Sequence, residues 1–212
     1  MTRRHVSILL FDDVDLLDSG GPYEVFLTAN RLARRDGADA PFDIDTVTLD
    51  GRPVTAYGGL GLIPTASAEV LANTDIVVVP GAVDLAGPLA DTDLLAAIRT
   101  VAQRADTTTT SVCTGTFLLH EAGALAGRAW TTHWEDIEPL AERAGGDGAR
   151  RGVRWVDDGP VVTGGALSSG IAMALHLVER FAGRDLAERT ANQIDYVWTE
   201  TSTASVTPTA ER

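Results

Sequence analysis

The sequence predicts an α/β fold, a mostly parallel sheet sandwiched between helices. Three observations carry this. Short continuous apolar runs, Val6 to Phe11 and Asp75 to Val79, lack the alternation of a half-exposed strand and read as strands buried on both faces. Segments with apolar residues at helical spacing lie between such runs, as at Tyr23 to Arg35 and Thr92 to Arg104. A β-branched run, Thr107 to Val112, stops at Cys113, passes through Thr114, Gly115 and Thr116, and continues as the apolar helical start Phe117-Leu118-Leu119. Strands alternating with helices imply parallel pairing, covered on both sides.

Taken in order, the first strand is followed by an acidic loop, Asp12 to Asp18, and by Ser19-Gly20-Gly21-Pro22. Proline after small residues marks the first turn of a helix that Gly37 can close. Phe42 to Leu49 alternates apolar and polar and reads as a half-exposed strand. Gly51 to Ile63 suits a short hairpin, and Ser67 can cap a small helix ending near Asn73. Pro80-Gly81-Ala82 turns out of the third strand. Beyond the Cys113 elbow, Ala129 to Thr132 reads as a strand and Trp134 to Arg143 as a helix. Val153 to Val156 and Val161 to Thr163 read as a hairpin around Asp157-Asp158-Gly159-Pro160. A long apolar helix runs to Phe181, and a last helix spans Asp185 to Trp198. The reading is one domain over residues 1–198 with a flexible Thr/Ser/Ala-rich tail, 199–212.

Composition narrows the function. The chain has 212 residues and a net charge of −13, which argues against nucleic acid and anionic membrane surfaces, since both want a basic face. A single cysteine excludes an internal disulfide. No apolar run approaches the roughly 18 residues of a membrane span, and the first residues read as a strand rather than a leader. A cytoplasmic protein is the expectation. The four histidines are scattered and no second cysteine exists, so neither a metal nor an organic cofactor is expected.

The chemistry centres on Cys113. A strand-to-helix elbow places a side chain at the carboxyl end of a sheet and at a helix N-terminus, where unpaired N–H groups favour a thiolate. Ligands of parallel sheets bind beyond those strand ends. The loops 12–22 and 80–87 leave the same edge, so Asp18, Gly81 and Cys113 are expected as neighbours. Asp18 can shuttle protons to and from the thiol, its pKa raised by apolar surroundings; alternatively it only caps the helix near Pro22. Amides around Gly81, Ala82, Thr114 and Gly115 could hold developing negative charge. His133 either contacts the cysteine or packs behind it. His120, two turns beyond Cys113, should point away, and His176 reads as a packed histidine.

Over roughly residues 5 to 185 the chain resembles the ThiJ/PfpI superfamily, a flavodoxin-like group related to the class I glutamine amidotransferases. The residues that carry this are Leu17-Asp18 with Gly21-Pro22 and Glu24-Val25, Val79-Pro80-Gly81, Ser111-Val112-Cys113-Thr114-Gly115, Thr131-Thr132-His133-Trp134, and Thr163-Gly164-Gly165 with Ser169-Gly170-Ile171. The SVCTG and TTHW pair is similar to the isocyanide hydratase branch, as is aspartate rather than glutamate at position 18. The resemblance implies a Cys113 nucleophile, Asp18 facing it, a homodimer and the hydration of isocyanides; Thr114 is expected to join them in catalysis, with Gly81, Ala82, Gly115, His133 and Gly165 as an oxyanion- and substrate-binding group and no cofactor. Two positions depart from that branch: Ala82 replaces a second glycine, and Ala172 replaces an aspartate. AraC-type regulators carry the same domain as a ligand sensor. About thirty residues follow Phe181 here, too few for their DNA-binding module. His176 is followed by Leu177 and Val178, so an amidotransferase His-x-Glu pair is missing. A ThiJ/PfpI protease or deglycase shares the elbow and stands as a further alternative.

Overall fold

The structure, a computed structural model, describes residues 2–199. Strand β1 (Arg4–Leu9) leads through a short loop into helix α1 (Leu16–Arg35), and β2 (Phe42–Thr48) follows. A small excursion holds β3 (Val54–Thr55), β4 (Gly61–Leu62) and β5 (Ala66–Ser67), then a 3₁₀ turn over Ala68–Asn73 and β6 (Ile76–Val79). Helices α2 (Ala86–Ala90) and α3 (Thr92–Ala102) precede β7 (Thr108–Ser111), and the elbow opens α4 (Gly115–Glu121). The chain closes with α5 (Ile137–Ala144), β8 (Trp155–Asp158), β9 (Val161–Gly164), α6 (Ser169–Ala182) and α7 (Arg184–Gln193).

Seven strands form the main sheet, in the order β5-β2-β1-β6-β7-β9-β8. All pairings are parallel except the β8–β9 hairpin. The order reverses at β1: the chain steps to β2 on one side, then returns to β6 on the other. Such a switch point leaves a crevice beyond the carboxyl ends of β1 and β6. Two apolar layers bury the faces. Leu94, Ile98, Leu118 and Leu140 pack on one side, and Val25, Phe26, Met173 and Val178 on the other.

Local physics shifted several boundaries. Asp15 caps α1, its carboxylate accepting from Leu17 N–H at 3.0 Å, so the helix begins two turns earlier than Pro22 suggests and Pro22 lies inside it. The sequence cue failed because a proline after small residues fits an early turn as readily as a first one. Ala129 to Thr132 is not a strand; only Trp130 bridges, to Ala149. Trp134–Asp136 forms a 3₁₀ turn before α5. The last helix stops at Gln193, with Asp195 at a φ of 54°. Of the expected tail, all but Thr199 lies outside the described residues.

Candidate active site

Cys113 follows β7 at a φ of 55°, in the left-handed region that a side chain enters at a cost of about 1–3 kcal/mol. The surroundings over-determine that conformation. Cys113 N–H donates to Gly165 O at 2.8 Å. Its carbonyl accepts from the Thr132 hydroxyl at 2.7 Å and the Thr116 hydroxyl at 3.1 Å. Thr116 Oγ1 also lies 2.9 Å from Ser111 Oγ, tying the elbow to the end of β7. Gly115 lets the turn close: a Cβ there would sit 2.3 Å from the Val79 carbonyl oxygen and 2.7 Å from that of Pro80.

Asp18 occupies the first turn of α1 and is fully buried. It is not the helix cap, since Asp15 does that work. Asp18 Oδ2 accepts from Gly81 N–H at 3.0 Å, and the carboxyl group lies beside the Cys113 side chain. The second oxygen, Oδ1, is buried without a protein partner among the described residues. Burial, helped by the Asp15 charge, raises the Asp18 pKa to about 7. The β1–α1 loop is fixed against the β6 turn by Asp15 N–H donating to Gly81 O at 2.9 Å and by a Val14–Ala82 bridge.

Burial and the Asp18 charge push the Cys113 thiol up to about 12, against amides of Leu167 and Thr114 that favour the thiolate. The sequence expectation of a thiolate stabilised by a helix N-terminus is therefore corrected. Two amides do point at sulfur, but desolvation and a neighbouring carboxylate outweigh them.

Of the expected charge-holding amides, that of Thr114 points at sulfur, and the others are engaged within the protein. Gly81 N–H is spent on Asp18. Ala82 N–H donates to Thr114 Oγ1 at 3.0 Å, and that hydroxyl donates back to Ala82 O at 2.8 Å. Gly115 N–H donates to Val112 O at 2.9 Å and Gly165 N–H to Arg154 O at 2.8 Å. These glycines position the site instead of offering donors. A Cβ at Gly81 would meet Thr114 Oγ1 at 2.4 Å and Asp18 Oδ2 at 2.9 Å, so only glycine lets the three loops approach this closely.

Cys113 opens into a cavity of about 230 Å³ whose wall includes Asp15, Ala82, Thr114, His133 and Leu167. That volume is below the roughly 300–1,000 Å³ of pockets for drug-sized ligands, so it suits a small molecule. His133 shares this wall with Cys113, and its Nδ1 lies 3.3 Å from the Glu135 amide and 3.4 Å from Asp136 Oδ2, within its own loop. A larger cavity, about 760 Å³, lies among Arg3, Arg34, Pro41 and Arg189, where β2 begins and α6 ends. It holds none of the reactive groups. The sequence reading missed Leu167, Thr132, Thr116 and Asp15. Thr132 is legible in the sequence as part of the Thr131–Trp134 motif; Leu167 bears on the site through its amide, which leaves no signature.

The chain is similar to known proteins over most of its length. The chain is 34% identical over 191 residues to the isonitrile hydratase of Pseudomonas putida, spanning 90% of this chain and 78% of that protein. It is 27% identical over 193 residues to the HTH-type transcriptional regulator GbdR of Pseudomonas aeruginosa, spanning 90% of this chain and 50% of the regulator. A crystal structure of a ThiJ/PfpI family protein from Pseudomonas syringae superposes with a TM-score of 0.78 at 26% identity, covering 92% of this chain and 76% of that one. The DJ-1/PfpI family model matches residues 4–180, from the first strand through α6 and across every loop that builds the Cys113 site, and the chain belongs to that family.

Proposed function

We propose that the protein is a cysteine-dependent hydro-lyase that converts isocyanides and water to N-substituted formamides. The observation that carries this is the buried, adjacent pair of Asp18 and Cys113. An isocyanide carbon accepts a nucleophile and a proton at the same atom, which is what a thiol beside a carboxylate offers. Above pH 7 the pair holds one proton, resting on sulfur. As Sγ bonds to the isocyanide carbon, Asp18 takes the S–H proton and returns it to that carbon, giving a thioimidate, Cys113–S–CH=N–R. Asp18 then takes a proton from water as the water oxygen adds to the same carbon, and passes that proton to the nitrogen, giving Cys113–S–CH(OH)–NH–R. Collapse breaks the C–S bond, restores the thiol and releases the formamide, O=CH–NH–R. Thr114 Oγ1, whose hydrogen is committed to Ala82 O, takes part only as an acceptor that orients water.

The raised thiol pKa does not hinder this chemistry, because the proton that sulfur retains is the one carbon needs. Acyl transfer makes a different demand. Its tetrahedral oxyanion wants free amides, and those of Gly81, Ala82, Gly115 and Gly165 are engaged within the protein. The Thr114 amide, which points at sulfur, remains for that demand, so the protease or deglycase alternative stands. The likeness to GbdR supports a second reading, a ligand-sensing domain without turnover. Incubation with a simple aryl isocyanide, followed by detection of the N-formamide, tests the first reading. Tight small-molecule binding that survives Cys113→Ala, with no turnover by the wild type, would establish the second. We further propose a homodimer acting in the cytoplasm without metal or organic cofactor. Members of the family commonly form dimers, and α1 leaves Leu16, Leu17 and Leu27 exposed.

A further inference from the structure

The cavity over Cys113 has a one-sided charge. Of its nine wall residues, three are carboxylates: Asp15, Glu135 and Asp136. None is arginine, and the chain contains no lysine. The remaining group there that can carry positive charge is His133, whose ring is 3.7 Å from Glu135 and 3.4 Å from Asp136. Asp18, beside Cys113, adds a fourth carboxyl group, with its buried Oδ1 unpartnered among the described residues. The same edge of the sheet carries Asp12, Asp13 and Asp84 around a neighbouring hollow. The cavity where β2 begins, by contrast, has three arginines, Arg3, Arg34 and Arg189, beside Asp36 and Asp39.

We propose that this wall makes the Cys113 site charge-selective, so that its substrates are small and cationic or neutral, and that molecules bearing a carboxylate or sulfonate near the reacting carbon are turned away. The physical cause is field focusing. Carboxylates around a recess with apolar walls (Ala82, Val83 and Leu167) set up a negative potential where solvent screens least. Glu135 and Asp136 are well placed to do this without catalytic duty, since they sit on the 3₁₀ turn after the Thr131–His133 segment. The proposal builds on the hydratase reading for its choice of substrates, but the selectivity belongs to the cavity and can be measured without them.

Because Cys113 is the sole cysteine, thiol-labelling rates report this site alone. The probes are 2-aminoethyl and 2-sulfonatoethyl methanethiosulfonate, equal in reach and opposite in charge. Each forms the mixed disulfide on Cys113 and releases methanesulfinate. Rates are divided by those of each probe with 2-mercaptoethanol. The cationic probe should label Cys113 at least about tenfold faster than the anionic one, and the ratio should shrink as salt rises. Glu135→Gln with Asp136→Asn should remove most of the ratio. Asp39→Asn with Asp185→Asn changes net charge equally, near where β2 begins and α6 ends, and should leave it. A normalised ratio near one, or equal loss in both double variants, overturns the proposal. The same comparison with (2-isocyanoethyl)trimethylammonium, pentyl isocyanide and isocyanoacetate separates the two ideas. If pentyl isocyanide is hydrated but the charged pair reacts alike, charge selection is wrong and the hydratase reading stands. If no isocyanide is hydrated while the labelling ratio persists, the hydratase reading is wrong and the charge selection stands.

Discussion

Two residues divide the chemistry, and their separate roles give separate predictions. Cys113→Ser should abolish formamide production, because a serine hydroxyl is far less readily ionised than a thiol and Asp18 is too weak a base to assist it. Mass spectrometry of the wild type under turnover should find the thioimidate on Cys113. Asp18→Asn should keep the fold and lower kcat/KM by roughly 10² or more, the usual scale for a proton shuttle. Its pH profile is the sharper measurement. Below about pH 7 Asp18 is protonated and cannot take the thiol proton, so wild-type kcat/KM should rise through pH 7 and then level. The asparagine variant should lack that inflection. Asp18 also sets a stability cost. Its pKa is raised from 3.8 to about 7, so the folded state binds the proton more tightly than the unfolded chain does. Stability from this group is complete below about pH 4 and is lost as pH rises through 7, on the order of 4 kcal/mol in all. Urea midpoints should show Asp18→Asn more stable than wild type at pH 8 by roughly 1 kcal/mol or more, with a flatter profile between pH 4 and 7. An unchanged profile would show that Asp18 is not desolvated as described.

At the scale of elements, the site depends on how closely three loops approach. Glycine supplies the closeness where a strand end must pass a helix start. Gly115→Ala would drive a Cβ into the backbone oxygens of Val79 and Pro80, neither of which is a flexible side chain. Thermal unfolding should register a loss of about 2 kcal/mol or more, in the range of severe single substitutions. Gly87→Ala in α2 meets nothing within 4 Å and should be neutral or slightly stabilising. Equal behaviour of the two variants would mean that the elbow is not held as tightly as its contacts indicate. Gly170 plays a related part at the start of α6, where a Cβ would lie 2.9 Å from Val112 Cγ1. That contact sets the helix against the residue before Cys113.

For the whole molecule, the expected assembly is a homodimer, and light scattering at micromolar concentration should return twice the chain mass of 22.4 kDa. Leu27→Glu on the exposed side of α1 should shift the population toward monomer, because it places a charge on a face that otherwise offers leucines to solvent. A monomeric wild type would remove the proposal. The layered fold itself does not depend on that outcome, since both faces of the sheet are covered within one chain.

The sequence alone determined the layered parallel sheet, the elbow at Cys113 and the meeting of Asp18, Gly81 and Cys113. All three follow from local rules: apolar runs make buried strands, a β-branched run ending at Cys-Thr-Gly makes a turn, and parallel strands send their loops to one edge. Side-chain identity also marked Asp18, because a carboxyl group near the switch point is legible as a letter in the chain. What the tertiary structure decided was which atoms remain free once the loops have met. Gly81 and Ala82 look like donors in the sequence, but Asp18 and Thr114 take their amides. A helix start predicts a thiolate, but burial beside a carboxyl group keeps the proton on sulfur. Leu167 bears on the site through a backbone N–H that any residue but proline would supply. Hydrogen-bond commitment and desolvation are sums over neighbours distant along the chain, so they are settled only when the chain has closed around them.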